Sequence, residues 1–187
     1  METAKRKEQL LHLAESLIRQ KGYTAFSYDD LSKHLGISKA SIHYHFVKKE
    51  DLGLAVQEQI YQRLADFSSK LQQSEDSVEA KFVQFCNLQS EQLADNEICP
   101  ISALQADFEL LPETMRQKTQ ELSQFELSVM HDVINSNVAE SHDKSGFCPI
   151  AMAMLSAIKG SIQYRRVRGG DSLTDTWKGL SRLLINH

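Results

Sequence analysis

No stretch of this chain approaches the roughly 20 consecutive apolar residues that a bilayer-spanning helix needs. The N-terminal METAKRKEQLLHLAE also lacks the apolar core of a secretory signal, so a cytoplasmic location with no membrane partner is expected. Cysteine is scarce: three in 187 residues, an odd number that suits a reducing compartment better than a disulfide framework. There are three prolines and eight glycines, and apolar and polar residues nowhere alternate over the length of a strand. This argues for an all-α fold of one or two domains. Internal repeats and low-complexity tracts are missing. So are the phosphate-cradling glycine loop, the nucleophile elbow and the paired catalytic carboxylates that would announce an enzyme. Glu91, Asp107, Glu109 and Glu113 are isolated acids on helical segments, where solvation is the ordinary fate. His43 and His45 stand two apart, which on a helix turns them about 200° from one another and forbids a shared metal ion. His12, His131, His142 and His187 are scattered, and no Cys/His spacing suits zinc. Neither metal nor cofactor is expected.

What is present centres on SYDDLSKHLGISKASIHYHFVKKEDL, residues 27–52. Ser27 can cap a helix beginning at Tyr28, with Asp29 and Asp30 in the first turn, where the helix dipole favours acids. Leu31 and Leu35 share one face of that helix. Gly36 stands where the helix must stop and reverse, because glycine tolerates a left-handed backbone. Ile37 is an apolar plug, and Ser38 is a second cap, for a helix from Lys39 to about Phe46. Ile42 and Phe46 mark its inner side, leaving Lys39, Ser41, His43, Tyr44 and His45 around the rest. Helix, glycine-bearing turn, helix is the pattern of a DNA-reading helix-turn-helix. Charge agrees modestly: no acid occurs between Asp30 and Glu50, while Lys33, Lys39, Lys48 and Lys49 do. Residues 1–64 carry a net +2 and the remainder −6, a basic head joined to an acidic body.

These residues resemble the N-terminal domain of the TetR/AcrR family of bacterial transcriptional regulators. The resemblance is carried by Gly22-Tyr23, Ser27, Asp30-Leu31, Gly36-Ile37-Ser38, His43-Tyr44-His45-Phe46 and Lys49-Glu50-Asp51-Leu52, over roughly the first third of the chain. Leu35 stands where the family has a small residue, Ala40 where glycine is frequent and His43 where tyrosine is frequent. The resemblance implies a three-helix DNA-binding domain followed by a larger helical ligand-binding and dimerisation domain, about nine helices in all. It also implies a homodimer formed through the last two helices, an operator DNA partner and a small-molecule effector of unknown identity. On this reading, residues 1–50 are the DNA-binding domain, with the motif at about 27–46. A linking helix spans 49–73, and 74–187 form the ligand-binding and dimerisation domain. Lys39 and Ser41 would meet base edges, with Ala40 allowing close approach. Ser27, Ser38, His43, Tyr44, His45 and Lys49 complete the DNA-binding set, most of them on phosphates.

The remaining periodicity supports helices throughout. Leu10, Leu13, Ala14, Leu17 and Ile18 form one stripe on a helix over 3–21 that ends at Gly22. Val56, Ile60, Leu64, Phe67 and Leu71 mark the buried edge of the linking helix. Further helices are expected at about 76–95, 101–110, 113–139, 148–168 and 172–186, with Asp76 or Ser77 capping the first. Ala151 to Tyr164 is nearly uncharged, which predicts a helix buried all round. Arg165, Arg166 and Arg168 then gather at its C-terminal end, where they offset the dipole. Candidate effector-pocket residues are Phe82, Phe85, Leu104, Phe108, Met115, Phe125, Met152, Leu155 and Tyr164.

The expected activity is that of a repressor released from a pseudo-palindromic operator by a small molecule. Two alternatives stand beside it. Cys99, just before Pro100 at a helix start, could be a thiolate that senses oxidants or electrophiles; Cys148-Pro149-Ile150 repeats the Cys99-Pro100-Ile101 tripeptide. A helical adaptor or an enzyme without DNA binding is the alternative of another class.

Overall fold

The computed structural model describes residues 2–90, 93–135, 149–170, 173–176 and 178–179. Its helices are α1 (Glu2–Lys21), α2 (Tyr28–Leu35), α3 (Lys39–His45), α4 (Lys49–Gln73), α5 (Val78–Ser90), α6 (Pro100–Ala106), α7 (Glu113–Asn135) and α8 (Pro149–Arg168). A 3-10 turn, Phe108–Leu110, separates α6 from α7, and no strand occurs among the described residues. The all-α expectation holds, with shifts at several ends. The expected 76–95 helix is helical over Val78–Ser90, and Ser77 supplies its cap by accepting the Ala80 N–H at 3.2 Å. The expected 101–110 helix divides into α6 and the 3-10 turn ahead of Pro112. Residues 1, 91–92, 136–148, 171–172, 177 and 180–187 lie outside the described set, and with them Glu91, His142, Cys148, His187 and most of the expected last helix. Residues 173–176 of that helix are helical.

Packing divides the chain into two compact units: Met1–Arg63 with Pro100–Ser123, and Leu64–Cys99 with Gln124–His187. The first differs from the expected DNA-binding domain because it takes in α6 and the first half of α7. The reason is visible in the contacts. α1 packs on α6, and Leu10, Ala14, Leu17 and Ile18 are buried as the stripe requires. Gly53 of α4 lies so close to α7 that an added Cβ would stand 2.6 Å from the Met115 Cε and 2.9 Å from the Tyr23 ring. One turn on, the buried Gln57 amide donates to Met115 O at 3.0 Å and to Thr119 Oγ1 at 2.8 Å. Asp107 accepts the Thr24 N–H at 2.9 Å, fixing the loop after α1. Gly22 begins that loop at φ +86°, pressed against the same carboxylate. Glu15, itself buried, is held by Arg19 and Arg63. Leu31, Ile42, Phe46, Leu52, Val56 and Ile60 complete the apolar core, while Leu13, Leu35 and Ile37 are half-buried. Each fully buried large apolar side chain contributes about 1.5–3 kcal/mol.

The second unit is built from the ends of α4 and α7 with α5 and α8. Leu64, Leu71, Phe82, Phe85, Val129, Met130 and Val133 are buried in it, and the Phe67 and Phe85 rings meet edge-on at 5.8 Å. The expectation that the 148–168 helix is buried all round is corrected. Ala151, Met154, Leu155, Ile158, Ser161 and Ile162 form one buried face, whereas Met152, Ala153, Ser156, Tyr164 and Val167 are exposed. A low charge count reflects small residues on the outer side here, not a second covered face within the chain.

Candidate nucleic-acid interface

The helix-turn-helix is closed by local hydrogen bonds that its residue types dictate. Ser27 and Asp30 form a capping box: the Ser27 N–H donates to Asp30 Oδ2 at 2.7 Å, and the Asp30 N–H points back to the Ser27 hydroxyl at 3.4 Å. Gly36 ends α2 at φ +62°, a left-handed value that glycine, having no Cβ, adopts without strain. The turn is tied by the Ser32 hydroxyl donating to Ile37 O at 2.5 Å and the Ile37 N–H to Ser32 O at 3.2 Å. Ser38 then accepts the Ser41 N–H at 3.2 Å and caps α3. Ile42 and Phe46 anchor α3 in the core. The Tyr28 hydroxyl donates to Phe46 O at 2.9 Å, and its ring lies edge-on to His43 at 4.9 Å, so α2 braces α3 at its far end. Burial, with the nearby Glu50 and Asp51 charges on Tyr23 and Asp51 on Tyr28, pushes both phenols up to about 12.

This bracing turns the polar side of α3 outward. Ser38, Lys39, Ala40, His43 and Tyr44 are exposed, Ser41 and His45 are half-buried, and Tyr44 reaches 77 % exposure beside His45. His43 Nδ1 bonds Val47 O at 3.0 Å, which leaves Nε2 on the outer edge of the ring. Two lysines depart from the sequence-based picture. The Lys39 ammonium is paired with Asp29 of α2 at 2.6 Å. Lys49, expected on a phosphate, is turned inward: its ammonium donates to Phe26 O and lies 4.5 and 4.4 Å from the centres of the Tyr23 and Phe26 rings. Burial lowers its pKa, partly offset by Asp107 and Asp30. The physical reason is the aromatic pair beneath it, which offers an ammonium two negative ring faces and a carbonyl at once. Asp30, with its carboxylate hydrogen-bonded by Ser27 and paired to Lys21 at 3.4 Å, is held below the usual carboxylate range.

A family model described as bacterial regulatory proteins, tetR family, matches residues 10–56, which span the stripe of α1, the whole helix-turn-helix and the start of α4. A transcriptional regulator structure from Legionella pneumophila, described as TetR, superposes with a TM-score of 0.80 at 26% identity, covering 95% of this chain and 96% of that one. Residues 10–56 are a tetR-family regulatory domain, and the chain as a whole is similar to TetR regulators. A TetR-family regulator from Agrobacterium tumefaciens has the same fold, with a TM-score of 0.75 at 23% identity, covering 98% of this chain and 97% of that one. In sequence, the chain is 34% identical over 61 residues to the negative regulator of the biofilm operon icaADBC, IcaR, of Staphylococcus epidermidis. That match takes in 33% of each protein, so the likeness to this relative concerns about a third of its length.

The residues proposed for an effector pocket are distributed over both units. Leu104, Phe108 and Met115 belong to the first, with Leu104 and Met115 fully buried. Phe82, Phe85, Phe125, Met152, Leu155 and Tyr164 belong to the second. Of these, Tyr164 lines an open groove of about 630 Å³, together with Ala157, Gly160, Ser161 and Arg168 of α8 and Asp175 beyond it. Cys99 is 1 % exposed and donates to the Gln89 side-chain carbonyl at 3.4 Å, the behaviour of a packed thiol. Cys86 is half-buried, and burial pushes its thiol up to about 11. Among the described residues no His/Cys/Asp/Glu group could hold a metal ion, and no helix is long and apolar enough to cross a membrane.

Sequence reasoning overlooked the ties that Tyr28 and Asp29 of α2 make to α3. It also missed a buried pair in the second unit, where Glu126 meets Lys159 at 2.5 Å and accepts from Gln89 at 3.0 Å. Lys159 gave a signal, being the one charge in the run Ala151 to Tyr164. Its acidic partner, 33 positions earlier, gave none.

Proposed function

We propose that the chain represses transcription as a homodimer whose two α3 helices enter successive major-groove faces of a pseudo-palindromic operator. The supporting observation is the exposed polar side of α3, held outward by buried Ile42 and Phe46. Lys39, Ala40 and Ser41 are the residues for base edges; Ser27, Ser38, His43, Tyr44 and His45 position the backbone. Lys49 is reassigned from phosphate contact to bracing the Tyr23–Phe26 corner. Dimerisation would use α8 and the segment after it, where Met152, Tyr164 and Val167 stand exposed along a face of small residues. A small-molecule effector would act by favouring a spacing of the two reading helices that the operator does not accept.

Selection of bound sequences from random duplex DNA by the full-length protein tests this directly. Two-fold-symmetric sites, with half-site centres about one helical turn or a multiple of it apart, are the expected result. Failure to enrich any sequence would refute DNA reading, and enrichment of a single unpaired half-site would refute the dimeric docking.

A further inference from the structure

Lys39 opens α3, where the proposed docking needs a donor facing a base edge, yet its ammonium lies 2.6 Å from the Asp29 carboxylate. The two side chains are 52% and 57% exposed, so the pair sits on the surface that a duplex would meet. The adjacent acid has structural duties: Asp30 takes the Ser27 N–H and hydroxyl and pairs with Lys21. Asp29 shares the first turn of α2, where the dipole favours an acid, but makes no counterpart to these bonds among the described residues; its side chain faces Lys39. Exposed pairs of this kind contribute little to stability, and a free carboxylate beside a reading helix opposes any polyanion. The arrangement therefore has its consequence at the DNA.

We propose that Asp29 determines specificity through Lys39, holding the ammonium back from phosphates while its remaining donors serve a base edge that offers paired acceptors, such as guanine O6 and N7. The inference rests on the DNA-binding reading above. On random duplex the pair stays closed, so Lys39 carries no net charge to the backbone and releases no counterion. At the operator, guanine O6 and N7 take two of the three ammonium N–H donors while Asp29 keeps the third, so the lysine is engaged and the carboxylate is not stranded. Discrimination then comes from a penalty on wrong sites as much as from attraction to the right one.

The test compares affinity for the selected operator with affinity for a random-sequence duplex over a series of salt concentrations. Asp29→Asn should raise random-duplex affinity roughly fivefold to tenfold near 0.1 M salt and steepen the salt slope by about 0.9, the signature of one added phosphate contact. Operator affinity should change less than about twofold, so the specificity ratio falls by about the same factor that the random-duplex affinity gains. Asp29→Ser should reproduce the pattern, with melting temperatures within about 4 °C of wild type to show that both variants fold. In a Lys39→Met background, Asp29→Asn should leave the random-duplex slope unchanged. A specificity ratio that stays put, or the same steepening without Lys39, overturns the role of Asp29 while leaving DNA reading intact. A wild-type chain that binds no duplex overturns both.

Discussion

Replacing Glu126 by leucine separates a buried ion pair from ordinary packing. The carboxylate is fully buried on α7, and Lys159 on α8 is 12 % exposed, with 2.5 Å between them. Gln89 adds a hydrogen bond at 3.0 Å. Burial pushes the Glu126 carboxyl up, with Lys159 and Gln89 pulling it back. Burial by itself would lower the Lys159 ammonium, but Cys99 and Glu126 together raise it. Glu126→Leu strands that ammonium and the Gln89 amide, which costs about 3–5 kcal/mol at pH 7. In a chain of this size that is a fall of roughly 6–20 °C in melting temperature. Glu126→Leu/Lys159→Met removes both charges and should return to within about 1 kcal/mol of wild type, or above it. The pH dependence gives a second, signed readout. With its pKa raised in the folded state, wild-type Lys159 stabilises fully below about 10.4 and loses that contribution as pH climbs through the folded value. In Glu126→Leu the stranded lysine has a depressed folded pKa, so stability should rise between pH 7 and 10 as the ammonium gives up its proton. Urea unfolding at pH 7 and pH 9.5 measures both effects. A loss under 1 kcal/mol for the single variant, or additive losses in the double one, would show that the pair is not the hub of this core.

Three further expectations concern the reading head. Lys49→Met keeps the apolar stem but removes the charge above Tyr23 and Phe26; it should cost about 1–2 kcal/mol of stability yet leave the salt slope of DNA binding unchanged. A slope flatter by about 0.9 would instead return Lys49 to the phosphates. Asp30 titrates below its unfolded value, so its contribution is present above about pH 3.9 and disappears as pH falls through the folded pKa. Asp30→Asn should therefore flatten the acid limb of a melting-temperature titration, and an unchanged limb would count against the capping box. Gly36→Ala places a Cβ at φ +62° with open space around it, so backbone strain alone should cost about 1–2 kcal/mol, while Gly36→Asn costs less. Equal melting temperatures for wild type and both variants would remove the left-handed turn from the account.

The helix-turn-helix was legible in the sequence because its determinants lie within a few residues of one another. Ser27 with Asp30, Gly36 after Leu35 and Ser38 before Lys39 each complete their hydrogen bonds inside one or two turns. The outward side of α3 follows from Ile42 and Phe46 being four apart. Lys49 shows where such reading stops. Its position at a helix start is local information, but the Tyr23 and Phe26 rings that capture it lie more than 20 residues earlier. A one-dimensional pattern carries no direction for so long a side chain.

Helix type, turn position and the polarity of the reading face are properties of short range, set by caps, glycine and a 3.6-residue period. The partition into units is not. It depends on Gly53 admitting Met115 and on Gln57 finding Thr119, partners some 60 residues apart whose complementarity exists once the chain has folded. The same holds for Asp29 against Lys39 and for Glu126 against Lys159. An acid and a base can be named from the chain, but whether they meet depends on the path of everything between them.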